Sequence, residues 1–540
     1  APTIFSVEDF LTNISGIEKA DNIEVLFQLF EIHKEVEGKS AQPFEEFINW
    51  AQQLIQDFND VDSYLTDPEK LFGYLSEARA LSVWNLDRNP LTDFQKKYLQ
   101  FYQSLFQYYT GLRKQLLLRN VAYTGLLFRE CALKISELAE SIPCKKVVFA
   151  GFNALTLAEE RIIGYLLEKG RAEIIWDADS YYLNDPGQEA GTFLRKWSGK
   201  WQTTGLKQPG NFFKEGEKEI SITGVPFNIG QVKYCGDLLS KMITPESPLE
   251  NTAVVLMDEQ LLIPLLNSLP DNVGALNITM GLSLKNSPFY SFFESLFQLQ
   301  ENLKRFHHIT SKGITRFYFR DVLRILQHPF VARLSNDKTG GNAFGFEELI
   351  ESIRQGNKVF LKKEEIILGE NSLFHQSLAF LEPVFTRWNS PMDAIGAMKK
   401  MIVLFRRLLI DGNPKKGEPV QSNGADIDLE FLFGFSKVVS RIDLLMKQFD
   451  TVGNLRMLHQ LFNRISETTT LPFYGEPLKG LQVMGMLETR TLDFENIILL
   501  SVNEDLIPSG KTTHSFIPFD IRQEFGLPTY HHKNAVYAYH

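Results

Sequence analysis

The sequence predicts an α/β protein whose parallel sheet is interrupted by two long helical stretches. Three observations carry that prediction. Residues Lys145 to Trp176 read strand, helix, strand. Further short apolar runs occur at Ala253–Leu256, Leu481–Met484 and Ile497–Leu500, and apolar residues recur at helical spacing through residues 20–145 and 284–470. Strands that alternate with helices in close order build βαβ units and hence parallel sheets.

Taken in order, Ile23, Leu26, Phe27 and Phe30 open the first helical stretch. Phe44, Phe47, Ile48 and Ala51 continue it, followed by Leu54, Ile55 and Phe58. Asp67-Pro68 reads as a helix start, with Asp as cap and Pro in the first turn. Aromatic-rich helices follow at Phe94–Leu118 and Tyr123–Leu138. The character changes at Lys145. Val147–Ala150 is an apolar run ending in Gly151, Leu157–Lys169 is a helix closed by Gly170, and Ala172–Trp176 is a second run. Ile220–Thr223 and Ala253–Leu256 are expected to be buried strands, each followed by a helix. Residues 284–470 return to helix with polar loops, among them the Gly-, Pro-, Asn- and Lys-rich segment 412–426.

At 540 residues the chain exceeds what one core usually serves, so several domains are expected. Its 44% hydrophobic and 23% charged content is that of a folded globular protein. The apolar clusters are short and broken by charge, so no membrane span is expected. Glu8 and Asp9 near the start, with no basic lead-in, do not suit a secretory signal. Cys131, Cys144 and Cys235 lie far apart without CxxC spacing, which suits a reducing cytoplasm and gives no zinc site or disulfide framework. A net charge of −10 and a pI near 5.6 argue against non-specific packaging of DNA. They leave room for a local basic channel.

Two GK[ST] triplets invite a phosphate-loop assignment and fail it. A phosphate loop needs a glycine five positions before the second Gly, a strand before it and a helix after it. Gly38-Lys39-Ser40 has His33 at that place and Gly510-Lys511-Thr512 has Asp505. The densest basic run is Lys304, Arg305, His307, His308, Lys312, Arg316, Arg320 and Arg324, interleaved with Phe306, Phe317, Tyr318 and Phe319. Such runs are more often solvated helix faces over core aromatics. Cations among stacking rings are also what a single-strand groove requires. His307-His308 does not make a metal pair, because adjacent helical positions diverge. No Ser-His-Asp arrangement is apparent.

Leu481 to Pro508, LQVMGMLETRTLDFENIILLSVNEDLIP, resembles motif V of UvrD-like superfamily 1 helicases and the matching stretch of the AddB family of helicase-nuclease proteins. Asp493-Phe494, Asn503-Glu504 and Pro508 fall in corresponding places. Thr489-Arg490-Thr491 stands where active helicases have Ser-Lys-Gly. The resemblance implies that Thr489 and Arg490 contact a DNA phosphate. Val147 to Glu159, VVFAGFNALTLAE, resembles motif II, with Phe152-Asn153 in place of Phe-Gln and Ala150-Gly151 in place of the two acids. A neutral pair neither holds Mg²⁺ nor orients an attacking water. Trp176 to Tyr182 is similar to motif III with one residue fewer, and Asn277 to Leu299 resembles the segment before the second insertion.

The resemblance implies two P-loop-NTPase-like, superfamily 1 helicase-type domains with large helical insertions. The first would be residues 1–215, with its insertion at about 20–145. The second would be 216–300 and 471–540, around a helical insertion at 301–470. It also implies that both ends are cut, with a phosphate loop before Ala1 and a Mg²⁺-dependent PD-(D/E)XK nuclease domain beyond His540. No catalytic centre, metal site or cofactor is expected within the 540 residues. The expected function is an inactivated, DNA-guiding part of an AddB-like helicase-nuclease in double-strand break repair and recombination. Its partners would be single-stranded DNA or duplex ends and the other chain of the helicase-nuclease. Its DNA contacts would be Thr489, Arg490, Lys304, Arg305, Lys312, Arg316 and Arg320. Two alternatives stay open: an active helicase whose phosphate loop lies elsewhere, and a protein-interaction scaffold that never touches DNA.

Overall fold

Strand Thr252–Leu256 is buried at every position, as its sequence TAVVL demands of a strand covered on both faces. It pairs in parallel with Leu481–Gly485 on one side and with Asn496–Leu500 on the other, Val254 standing opposite both Val483 and Ile498. Leu276–Ile278 completes a four-stranded sheet beside Leu481–Gly485, and there the buried Asn277 donates to Gln482 at 2.7 Å. The structure, a computed structural model, describes residues 2–83, 92–201, 206, 209–243, 249–306, 315–335, 346–367, 375–411, 425–449, 452–472, 479–490, 492–504, 506–507 and 515–539. It is a mixed α/β fold, largely helical, with small sheets that include parallel pairs. The chain divides into two compact units, residues 1–277 with 476–540, and residues 278–475.

The βαβ unit lies where the sequence puts it. Val147–Ala150 pairs in parallel with Ala172–Ile175, Phe149 opposite Ile174, through helix Leu157–Glu168. Thr156 and Glu159 form a reciprocal capping box at the start of that helix, and Gly170, at φ 65°, supplies the left-handed turn after it. One face of this pair is covered, with Phe149 and Ile174 buried; Val148 and Ile175 on the other are 53% and 55% exposed. Ile220–Thr223 is not a strand. Residues 217–225 are irregular, and Ile220 and Ile222 are 81% and 94% exposed. Alternation gives propensity, but a strand also needs an edge to satisfy its N–H and C=O groups, and among the described residues none pairs with this segment.

The first helical stretch forms helices Asn22–Glu37, Phe44–Ser63, Pro68–Val83, Asp93–Leu118 and Thr124–Leu133. Asp67 caps the third, accepting from the N–H groups of Glu69 and Lys70 at 3.1 and 3.3 Å. Gly38-Lys39-Ser40 is a single 3₁₀ turn that ends the first helix, so it cradles nothing. The other triplet lies outside the described residues.

The segment after Ser515 is fixed to helix Phe44–Ser63 by buried charge. Arg522 reaches Asp57 at 3.3 Å and also pairs with Asp60. Asp57 further accepts from Ser515 Oγ at 2.6 Å and from the Phe516 N–H at 2.8 Å. Burial pushes the Asp57 carboxyl up to about 6, against the pull of these donors. The Phe516 ring packs on Phe101 at 5.1 Å and Trp50 at 6.4 Å.

In residues 278–475 the core is aromatic. Helix Pro288–Arg305 buries Phe289, Phe292, Phe293 and Phe297. These meet Phe330, Phe405, Phe435 and Phe462 at centroid distances of 4.4 to 6.3 Å. This unit is helical as expected, yet it also contains short antiparallel pairs, Leu282–Ser283 with Thr470–Leu471 and Arg316–Tyr318 with Phe360–Lys362. Most of the expected loop at 412–426, residues 412–424, lies outside the described residues.

Two outcomes are expected. Removing one partner of a buried ion pair strands the other charge, so Arg522→Ala is expected to lower unfolding free energy by about 3 to 5 kcal/mol in urea titration, and Arg387→Ala, at an exposed guanidinium, by under about 1 kcal/mol. His33 is buried, with Nε2 accepting the Gln42 N–H at 3.0 Å and Nδ1 2.8 Å from Tyr108 Oη. Tyr108 in turn donates to Glu37 at 3.2 Å, so the ring is neutral with its proton on Nδ1, and burial pushes its pKa from 6.5 down to about 4. The unfolded chain takes up this proton first, so stability falls as pH drops from 6.5 toward 4. In urea midpoints measured across that interval, His33→Gln is expected to flatten the slope by one proton's share.

Candidate nucleic-acid interface

Helix Pro288–Arg305 ends at Arg305, strand Arg316–Tyr318 follows, and helix Phe319–Leu326 begins directly after it. The basic run is therefore not one helix face. The strand forms an antiparallel ribbon with Phe360–Lys362, in the register Arg316 to Lys362, Phe317 to Leu361 and Tyr318 to Phe360. Side chains alternate across a strand. Phe317 and Leu361 are buried beneath the ribbon, so Arg316, Tyr318, Phe360 and Lys362 share its other face.

That face is basic and aromatic. Tyr318 and Phe360 lie 6.0 Å apart between ring centroids, and Phe306 joins them at 5.5 and 5.6 Å. Phe319 adds a further ring 5.2 Å from Tyr318. Arg305 lies 6.0 Å from the Phe306 centroid and Arg320 5.8 Å from that of Phe319. Lys304, Arg305, Arg320 and Lys362 are exposed, while Arg316 and the four rings are partly covered. Arg316 stands directly across from Lys362, a like-charge pairing that costs stability in an antiparallel ribbon, and among the described residues its buried Nε has no hydrogen-bond partner. Arg324 is turned to structure, reaching Asp321 at 3.4 Å and Gln298 at 2.6 Å. His307, His308 and Lys312 lie outside the described residues.

Phe360 and Lys362 are absent from the basic and aromatic run that the sequence displays. The short apolar run Val359-Phe360-Leu361 ahead of Lys362 is the available signal, and it gains meaning only once Arg316–Tyr318 is its partner.

The motif-II-like turn has no acid at its head. Ala150 is exposed at the end of its strand, and Gly151 sits at φ 75°. That left-handed conformation favours glycine, so this backbone itself disfavours a carboxylate side chain at the second acidic position. Phe152 packs on Phe149 at 6.0 Å. Asn153 is buried, its carbonyl accepting from Trp197 Nε1 at 2.7 Å, while among the described residues both side-chain polar atoms lack a partner. In the motif-III-like stretch Asp179 caps helix Ser180–Asn184, accepting from the Tyr181 N–H at 2.8 Å.

The motif-V-like turn follows Leu481–Gly485 as a 3₁₀ turn, Met486–Thr489. Thr489 Oγ1 donates to the Met486 carbonyl at 2.7 Å. Arg490 is exposed and lies in a mixed electrostatic setting. Its charge and that of Asp177 both act on Tyr539, whose hydroxyl donates to the Asp177 carbonyl at 3.0 Å. Burial and the neighbouring Asp493 and Asp179 carboxylates push Asp177 up. Thr491 and Pro508 lie outside the described residues. Among the described residues no group of three His, Cys, Asp or Glu side chains could hold a metal ion, and no helix is long and apolar enough to cross a membrane.

No protein-family model matches this chain, and no curated protein matches it. What the ribbon and the turns can do therefore follows from their own chemistry.

Placing acids at positions 150 and 151 tests the motif-II-like turn. Gly151→Glu places a side chain on a left-handed backbone and is expected to cost about 1 to 2 kcal/mol in thermal or urea unfolding. Ala150→Asp with Gly151→Glu is expected to give no ATP turnover with Mg²⁺ in a phosphate-release assay.

Proposed function

We propose that this chain guides single-stranded DNA without driving it, as a motor-inactive, helicase-like part of an AddB-type helicase-nuclease acting in double-strand break repair in the cytoplasm. The observation that carries the DNA-binding part is the ribbon face. Two cations and two rings share one side of Arg316–Tyr318 and Phe360–Lys362, and Phe306, Arg305, Phe319 and Arg320 border it. Rings that stack on bases beside cations that pair with phosphates form the common solution for a flexible single strand. The AddB assignment rests on the ordered motif resemblance, together with parallel strand pairs at the motif-II-like and motif-V-like stretches. In that assignment the sheets descend from P-loop-NTPase-like domains. Ala150 and Gly151 count against a working motor.

A second reading, the protein scaffold, draws on the acidic setting of Asp177, Asp179 and Asp493 beside the Arg490 turn. Fluorescence anisotropy with a labelled oligo-dT over a salt series separates the two. On the DNA reading, affinity falls steeply with salt, and replacing Arg316 and Lys362 together with Ala lowers the logarithmic salt slope by about 0.7 per lost phosphate contact. Tyr318→Ala is expected to weaken binding by about 1 to 3 kcal/mol, the scale of one stacked base. Arg490→Ala is expected to cost less than either. A weak response that is flat in salt would instead favour the scaffold.

A further inference from the structure

A second surface in residues 278–475 has a different chemistry from the ribbon. Helices His375–Val384 and Pro391–Asp411, with the turn between them, border a groove of about 810 Å³. Four cations line it: Lys363, Arg387, Lys400 and Arg407. Two carboxylates accompany them. One of these, Asp393, is engaged with the backbone, accepting from the N–H groups of Asn389 and Ser390 at 2.9 and 3.0 Å. Lys363 donates to Thr386 Oγ1 at 3.0 Å. Among the described residues no carboxylate pairs with Arg387, Lys400 or Arg407, and all three are exposed. This is a basic groove on a chain of net charge −10.

Its apolar lining is aliphatic. Met392, Gly396, Ala397, Val403 and Leu404 line the groove from helix Pro391–Asp411; with Lys400 and Arg407, the series Met392, Gly396, Lys400, Val403, Arg407 runs in the steps of three and four residues that place side chains on one side of a helix. Met392 and Val403 are 47% and 68% exposed. Trp388, the aromatic residue that lines the groove, is buried, so no exposed ring is offered to a nucleobase. Gly396 has no atom within 4 Å of where a Cβ would stand, which leaves room for a close backbone. From Met392 to Arg407 the face runs about 22 Å, four turns of helix.

We propose that this groove docks an acidic amphipathic helix of a partner protein, with aliphatic side chains on the Met392–Val403 stripe and carboxylates toward Arg387, Lys400 and Arg407. Helix-in-groove recognition uses this pattern of apolar anchors at helical spacing, and complementary charge on the rim sets partner choice and association rate. The inference does not rest on the DNA reading and stands if that reading fails.

The test uses the full chain and a synthetic, fluorescein-labelled amphipathic peptide with Leu along one face and Glu on its borders. A second peptide of the same composition with its Leu positions scrambled, and labelled oligo-dT, serve as comparisons. The amphipathic peptide is expected to bind in the micromolar range, and both Val403→Asp and the triple variant Arg387→Glu, Lys400→Glu, Arg407→Glu are expected to weaken it by about tenfold or more. Oligo-dT affinity and the melting temperature of both variants should stay as in the parent, because the altered side chains are exposed. Equal binding of the scrambled peptide would reduce the groove to a patch of charge and overturn the proposal. So would absence of binding at millimolar peptide, or loss of oligo-dT with the peptide unaffected.

Discussion

A strand buried on both faces cannot leave its N–H and C=O groups to water, and this requirement on Thr252–Leu256 organises much of the molecule. Both of its neighbours, Leu481–Gly485 and Asn496–Leu500, come from beyond the whole of residues 278–475. The chain between must therefore begin and end at one sheet. Closing a longer loop adds little to the entropic cost, since that cost grows only with the logarithm of length. The inserted segment must, however, supply its own core. The Phe289, Phe292, Phe293 and Phe297 side of helix Pro288–Arg305 does so, gathering rings from helices that follow it along the chain. Eight of the chain's 43 phenylalanines meet there.

The Asp57, Asp60 and Arg522 cluster imposes the same kind of long-range closure by different means. Hydrophobic burial is indifferent to direction, whereas a guanidinium that must satisfy two carboxylates and the Pro528 carbonyl accepts few arrangements. Desolvating three charges makes such a cluster a poor source of net stability, but breaking it is costly. Its effect is to fix one position for the segment after Ser515 on the helix Phe44–Ser63.

What the sequence revealed follows from how local each signal is. The Val147–Ile175 unit was legible because strand, helix, closing glycine and second strand are contiguous and each has its own residue chemistry. Asp67-Pro68 was legible for the same reason. Ile220–Thr223 has the alternation of a strand without a partner edge, and propensity alone did not make it one. The Arg522 pairing and the Arg316–Lys362 register were illegible, because each joins residues that nothing in the sequence links. For the ribbon this changed the outcome in kind. The basic run reads like a helical face with rings beneath it; as a strand, it puts Arg316 and Tyr318 on one side and sends Phe317 to the core.

On the proposed DNA reading, an acidic net charge does not exclude binding of a polyanion. At physiological ionic strength, charges farther apart than about 8 Å are largely screened across solvent, so a phosphate at the ribbon responds to Arg316, Lys362 and their neighbours rather than to the total of −10. In the unbound protein Arg316 and Lys362 repel each other across the strands. On that reading, an anion between them adds two attractions that offset the repulsion carried by the free protein. The rings act differently. Tyr318 and Phe360 keep part of their surface in water, and covering it with a base adds apolar burial that salt does not screen. The two contributions are separable in principle, since salt weakens the first and leaves the second, and a site that combines them can hold a strand whatever its base sequence.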